Sequence, residues 1–175
     1  VAPCAASDSE RRKATRARGQ WPLPIRSARP GAATRPPPRP IRSVSTFVDT
    51  SAFLAVLDAD DAQHARANHI WIELVGSEEA LLTTSYVLVE TFALVQARLG
   101  IEAARLLQDD VVPVLRVTWV DESLHGAAMT ALLTARRREL SLVDCVSFEA
   151  MRRLGVERAF AFDKHFRQQG FSLVP

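Results

Sequence analysis

The chain has 175 residues, enough for one domain of ordinary size, and its 47% hydrophobic and 24% charged residues match a globular composition. Fibrous, collagenous and wholly disordered classes are excluded, and no run approaches the ~18 consecutive apolar residues of a membrane span. The net charge of +2 hides a division, because residues 1–43 hold nine arginines and Lys13 against only Asp8 and Glu10, while the remainder is net acidic.

The same first 43 residues carry eight of the ten prolines. Arg35-Pro-Pro-Pro-Arg-Pro40 suits neither a helix interior nor a central strand. With so few large apolar side chains, the segment cannot offset the entropy of ordering, so residues 1–43 are expected to be a disordered Arg/Pro-rich extension. Trp21-Pro-Leu-Pro-Ile25 does not supply the apolar core of a secretory signal. Two readings of the extension stay open: an arm that touches RNA phosphates, or a dispensable upstream segment. Cys4 and Cys145 support neither a disulfide framework nor a four-ligand zinc site, which suits a reducing, cytoplasmic setting.

A folded domain is expected over residues 44–175. Thr46-Phe-Val-Asp49 reads as a short strand ending in a carboxylate, and Thr50–Leu57 as the helix that follows. Asp60–Val75 has helical spacing and Gly76 ends it. Leu81–Thr84 is a second strand, and Ser85 suits the N-cap of an apolar helix, Tyr86–Leu99, that Gly100 stops. Glu102–Asp110 reads as a short helix and Leu115–Val120 as a third strand. Helices are expected over Glu122–Arg138 and Leu142–Leu154, with Gly155 closing the second. Ala159–Phe162 is a fourth strand ending at Asp163, and Phe171–Val174 a fifth. Strands alternating with helices imply an α/β fold with a mostly parallel sheet covered on both faces.

Open α/β sheets bind ligands beyond the carboxyl ends of their strands, and Asp49 and Asp163 both fall there. Glu90 interrupts the greasy helix Tyr86–Leu99, and Asp144 sits within Leu140-Ser-Leu-Val-Asp-Cys-Val-Ser-Phe148. Carboxylates in such surroundings are costly unless paired, protonated or metal-bound. Each has an ordinary alternative. Asp49, Asp144 and Asp163 could cap the helices they precede or enter, and Glu90 could meet Arg98 or Arg105. Four acids recurring in one α/β order instead suggest a cluster around a hard divalent cation. The four histidines lack zinc-like spacing and read as surface or core residues. Arg136-Arg137-Arg138, Arg152 and Arg153 suit either helix C-termini or phosphate.

Phe47-Val-Asp-Thr-Ser-Ala-Phe53, Leu88-Val-Glu-Thr-Phe92, Leu140–Phe148 and Ala161-Phe-Asp-Lys-His-Phe166 together resemble the PIN domain, most closely the VapC-type toxin ribonucleases. The resemblance covers residues 45–174 and implies a PIN-like three-layer domain with a parallel central sheet flanked by helices. Its acids correspond to Asp49, Glu90, Asp144 and Asp163, implied as catalytic residues and ligands of Mg²⁺ or Mn²⁺. Asp49 and Asp144 are the expected direct ligands, with Thr50 and Ser51 in support. The implied activity is metal-dependent hydrolysis of RNA phosphodiester bonds by a toxin of a toxin–antitoxin pair. A housekeeping RNA-processing nuclease and a non-cleaving binding module are the alternatives. The resemblance further implies an antitoxin partner and a homodimer. Antitoxin anchors could dock between Asp60–Val75 and Tyr86–Leu99, where Trp71, Ile72, Phe92 and Val95 could offer a groove; the alternative is that these four pack against each other or the sheet. A phosphoaspartyl phosphatase is disfavoured because Ser51 stands where its second Asp is required. A receiver domain is disfavoured because Asp60-Asp61 follows a helix and not a strand.

A chain shortened to begin at Val44 is expected to melt cooperatively at nearly the temperature of the full chain. Differential scanning calorimetry of the two checks this, and loss of the cooperative transition would place the domain boundary further upstream.

Overall fold

The computed structural model describes residues 45–77, 79–135 and 139–174, so the expected extension and Arg136–Arg138 lie outside it. Among the described residues five strands pair into one all-parallel sheet in the order β3-β2-β1-β4-β5. They are β1 Ser45–Val48, β2 Ala80–Thr84, β3 Leu115–Thr118, β4 Arg158–Phe160 and β5 Ser172–Leu173. Successive strand residues point to opposite faces. Thr46, Phe47 and Val48 are nevertheless all at most 1% exposed, so β1 is covered on both sides. The edge strands β3 and β5 are less buried.

The flanking helices are α1 Thr50–Leu57, α2 His64–Gly76, α3 Ser85–Leu99, α4 Ile101–Leu106, α5 Glu122–Ala135, α6 Leu142–Leu154 and α7 Lys164–Gln168. The α/β expectation holds, with shifts at element ends that have local causes. Helix α2 starts at His64 and not Asp60, because Asp58 and Asp61 accept from the backbone N–H groups of Asp60 and Gln63 and hold a turn there. Thr84, not Ser85, caps α3 by accepting from Val87 N, while the Ser85 hydroxyl accepts from Val120 N. After α4 the chain forms a π turn, Leu107–Val111, and a 3₁₀ turn, Val112–Val114, where Pro113 lacks the N–H that would continue a helix.

Helix α1 packs against both α2 and α3. Trp71 and Val95 are core residues, 3% and 0% exposed, with Trp71 edge-on to Phe53 at 6.3 Å. The expected docking groove therefore loses two of its four anchors to the core. Phe92 is half-buried against the core as well, and only Ile72 is exposed. Beyond β4 the chain is held by aromatic packing. Phe166 meets Phe148 edge-on at 5.0 Å and lies 6.2 Å from Phe47, and Phe171 lies over Phe148 at 5.9 Å. This cluster fixes α7 against α6 and the sheet.

Gly155 closes α6 in the left-handed conformation, φ 65°, and no atom lies within 4 Å of where a Cβ would stand. Gly155→Ala therefore meets only the backbone penalty of that conformation. It should destabilise the domain by about 1 kcal/mol, measured by urea unfolding.

Candidate active site

The strand order reverses direction at β1: β2 and β3 extend the sheet to one side, β4 and β5 to the other. The crevice of such a fold opens at that switch, beyond the carboxyl ends of β1 and β4. Asp49, the first residue after β1, lies there, its N–H donating to Phe160 O of β4 at 3.1 Å. Its carboxylate caps α1, with Oδ2 accepting from Ser51 N at 3.0 Å and from Ser51 Oγ at 2.6 Å. The same Ser51 Oγ accepts from Phe162 N at 3.0 Å. One hydroxyl thus ties the end of β1 to the chain just before Asp163. Asp163 caps α7 by accepting from His165 N at 2.8 Å.

Glu90, half-buried one turn into α3, accepts a 2.6 Å hydrogen bond from Thr50 Oγ1 through its Oε2. Thr91 Oγ1 donates to Thr50 Oγ1 at 3.4 Å. Glu90 therefore meets a hydroxyl beside Asp49, while Arg105 pairs with Glu102. The helix around it is less greasy than its sequence suggests, since Val89 is 70% exposed. Asp144 forms a capping box at the start of α6: its Oδ2 accepts from Ser141 N and Ser141 Oγ, both at 2.8 Å, and Asp144 N donates to Ser141 Oγ. The capping alternatives for Asp49, Asp144 and Asp163 are thus all realised.

Capping and ligation are compatible, because each acid commits one oxygen to the fold. Among the described residues the hydrogen bonds of Asp49 and Asp144 fall on Oδ2, those of Asp163 on Oδ1 and that of Glu90 on Oε2. Asp49 also feels a backbone hydrogen bond from Thr50. An all-carboxylate donor set with one oxygen apiece suits a hard cation such as Mg²⁺ or Mn²⁺. With each acid turned onto its own partner, no three His, Cys, Asp or Glu side chains among the described residues stand close enough to chelate one ion as they are.

Asp49 bears the electrostatic cost. It is 5% exposed, and burial pushes its pKa up from 3.8 to about 6, opposed by the Ser51 hydrogen bonds and reinforced by the Asp144 charge. Asp144 is therefore within electrostatic reach of Asp49. Burial, then Asp144, also pushes the Cys145 thiol up.

The sequence profile of the PIN domain matches residues 46–172, which is most of the chain and all but the ends of its described part. The 23S rRNA-specific endonuclease VapC20 of Mycobacterium tuberculosis is 36% identical over 126 residues, covering 71% of this chain and 94% of that protein. The chain belongs to the PIN-domain family. The crystal structure of the same VapC20, described as a sarcin–ricin loop cleaving toxin, superposes with a TM-score of 0.65 at 35% identity. It covers 72% of this chain and 95% of its own. FitAcB from Neisseria gonorrhoeae, 13% identical with a TM-score of 0.54 over 74% of this chain and 96% of its own, shares the PIN fold alone.

One pairing near the acids was not anticipated from the sequence, that of Tyr86 with His125. Tyr86 OH lies 2.9 Å from His125 Nδ1, and Tyr86 stands one helical turn before Glu90 on α3. That i, i+4 spacing was the available signal. His165 is 7% exposed, and its Nδ1 lies 3.1 Å from Asp163 Oδ1 without hydrogen-bonding geometry. It is a core histidine, as expected, but one set against a candidate ligand. Arg152 and Arg153 are engaged structurally. The first donates to Gln169 and lies over the Phe171 ring, and the second pairs with Glu149.

The raised pKa of Asp49 sets a sign. Between about 4 and 6 the native state binds more protons than the unfolded chain, so the cation-free protein loses stability as pH rises through that window. The full cost, on the order of 3 kcal/mol at most, applies above it. Asp49→Asn keeps a capping oxygen and removes the charge. It should flatten this slope and raise the melting temperature at pH 7.5 in EDTA, both read by thermal unfolding across pH 4–8.

Proposed function

We propose that this PIN-domain chain is a divalent-metal-dependent endoribonuclease, the toxin of a toxin–antitoxin pair. The observation that carries the reading is its 36% identity across 94% of VapC20, a named 23S rRNA-specific endonuclease. Support comes from Asp49 following β1, Glu90 bonded to Thr50 beside it, Asp163 just past the Ser51-bonded Phe162, and the charge of Asp144 felt at Asp49. Those four acids are the proposed holders of Mg²⁺ or Mn²⁺, with Asp49 and Asp144 the direct ligands. When bound, the cation supplies charge neutralisation at the phosphate and activation of the attacking water.

The residues of the chain do the rest. Ser51 holds the Asp49 carboxylate in one orientation through two hydrogen bonds, so the acid enters the reaction without first being ordered. Thr50 does the same for Glu90. The N-termini of α1, α3, α6 and α7 all lie at the carboxyl edge of the sheet, and their dipoles favour an incoming phosphate at a place where the acids alone would repel it. The RNA substrate proposed is a loop of ribosomal RNA, by likeness to the relative that cuts the sarcin–ricin loop. An antitoxin partner and a toxin homodimer belong to the same reading.

The test is cleavage of a synthetic sarcin–ricin hairpin and of total ribosomal RNA with Mg²⁺, Mn²⁺ or EDTA. Cutting is expected with either metal and none with EDTA. Asp49→Asn and Asp144→Asn should reduce cleavage to background while remaining folded, and full activity in either would overturn the site. Thr50→Val, which removes only the hydroxyl that orients Glu90, should lower activity about 10- to 100-fold. Co-expression with the product of an adjacent small gene should give an inactive complex. If that product neither binds nor inhibits, the toxin role fails and a housekeeping nuclease takes its place.

A further inference from the structure

Trp119 is the most exposed large apolar side chain among the described residues, at 78%. It is the first residue beyond β3, whose ladder pairs Thr118 with Thr84. The β1–β2 ladder pairs Phe47 with Leu82, so continuing that register by two residues sets Thr84 level with Asp49. Two strand spacings, about 10 Å, therefore separate the backbone beside Trp119 from the backbone of Asp49 along the same edge. A nucleotide close to the cleaved phosphate can span that reach.

The backbone offering this indole is held on both sides. Thr118 is in the ladder, and Val120 N donates to Ser85 Oγ at 3.1 Å. Val120 and Tyr86 pack together onto the smaller apolar cluster around Leu124, Ala128 and Val146. Tyr86 in turn stands one turn before Glu90, its hydroxyl held by His125. The backbone beside Trp119 is thus tied to the helix that carries Glu90.

The surroundings indicate what the indole receives. Asp121 and Glu122, two and three residues further on, are exposed, so the spot repels a phosphate. A single indole beside charged neighbours is not the contiguous apolar patch that buries a protein surface. A flat, uncharged π face meets both conditions, and unstacked bases of loop RNA present one.

We propose that Trp119 is a base-stacking specificity residue: it receives an unstacked nucleobase of the RNA close to the cleaved phosphate and so selects where the loop is cut. The proposal rests on the ribonuclease reading above. The indole contributes contact area and orientation, while the base edge remains open to other contacts.

The experiment uses the full chain, with Asp49→Asn as the background for binding so that the RNA stays intact. The probe is the sarcin–ricin hairpin, together with a set in which each loop base is removed in turn to leave an abasic sugar. Trp119→Ala should weaken binding about 5- to 150-fold, the usual worth of one stacked base, while Trp119→Phe retains most of the affinity. At one loop position the abasic RNA should weaken binding to the parent protein and have no further effect on Trp119→Ala. With otherwise wild-type enzyme, Trp119→Ala should raise KM far more than it lowers kcat, at an unchanged melting temperature. Unchanged binding in Trp119→Ala overturns the proposal, as does an abasic series strictly additive with that variant at every position. So does a loss confined to binding of a co-expressed protein partner, which would make the indole a protein contact. These outcomes are read where the wild-type chain cleaves RNA. If the wild type neither binds nor cleaves the hairpin or total ribosomal RNA, the ribonuclease reading fails and this proposal with it.

Discussion

Parallel pairing of β1 with both β2 and β4 is the constraint on which the rest of the structure depends. Strands that run the same way finish at the same edge, so each connection must travel back along the sheet as a helix before the next strand begins. Helix N-termini consequently gather where strand carboxyl ends do. Side chains at those junctions have two possible employments, because a carboxylate that satisfies the free N–H groups of a helix is automatically stationed at the crevice. Asp49, Asp144 and Asp163 show this directly.

That coincidence explains what was legible in the sequence and what was not. The buried strands were readable because Phe47, Val48, Leu81 and Leu82 form short apolar runs between turn signals. The acids were readable because Asp49 and Asp163 terminate such runs and Glu90 interrupts one. Capping is what the structure shows for Asp49, Asp144 and Asp163, and ligation is the proposed second role; one-dimensional spacing carries no information on which oxygen serves which. Thr84 and Ser85 are both good caps and adjacent, so only the three-dimensional position of Val120 N separates their roles. The β-rich run Leu115–Val120 conceals that the strand stops at Thr118, which frees Trp119. Trp71 and Val95 suit either a docking groove or core packing from helical spacing alone, and the contact of α1 with both of their helices decides for the core.

The domain sets a rigid frame against a locally unfavourable site. Phe47, Phe148, Phe166 and Phe171 interlock around α7, and the central strand β1 is sealed on both faces. Against this, Asp49 is buried where its charge is costly and where Asp144 adds repulsion. The packing supports the arrangement because Ser51 converts a floating charge into a bonded one and carries its position across to the chain after β4. Cys145, buried beside Asp144 with its thiol held protonated, takes no part in this balance.

The division of each carboxylate between a committed oxygen and a spare one also bears on the order of events in the life of the molecule. The helix caps, ladders and aromatic cluster are each made from protein groups. This is the reverse of a zinc finger, whose ligands have no structure to return to when the ion leaves. On the proposed reading, scarcity of the cation would silence the protein while leaving those protein-to-protein contacts in place.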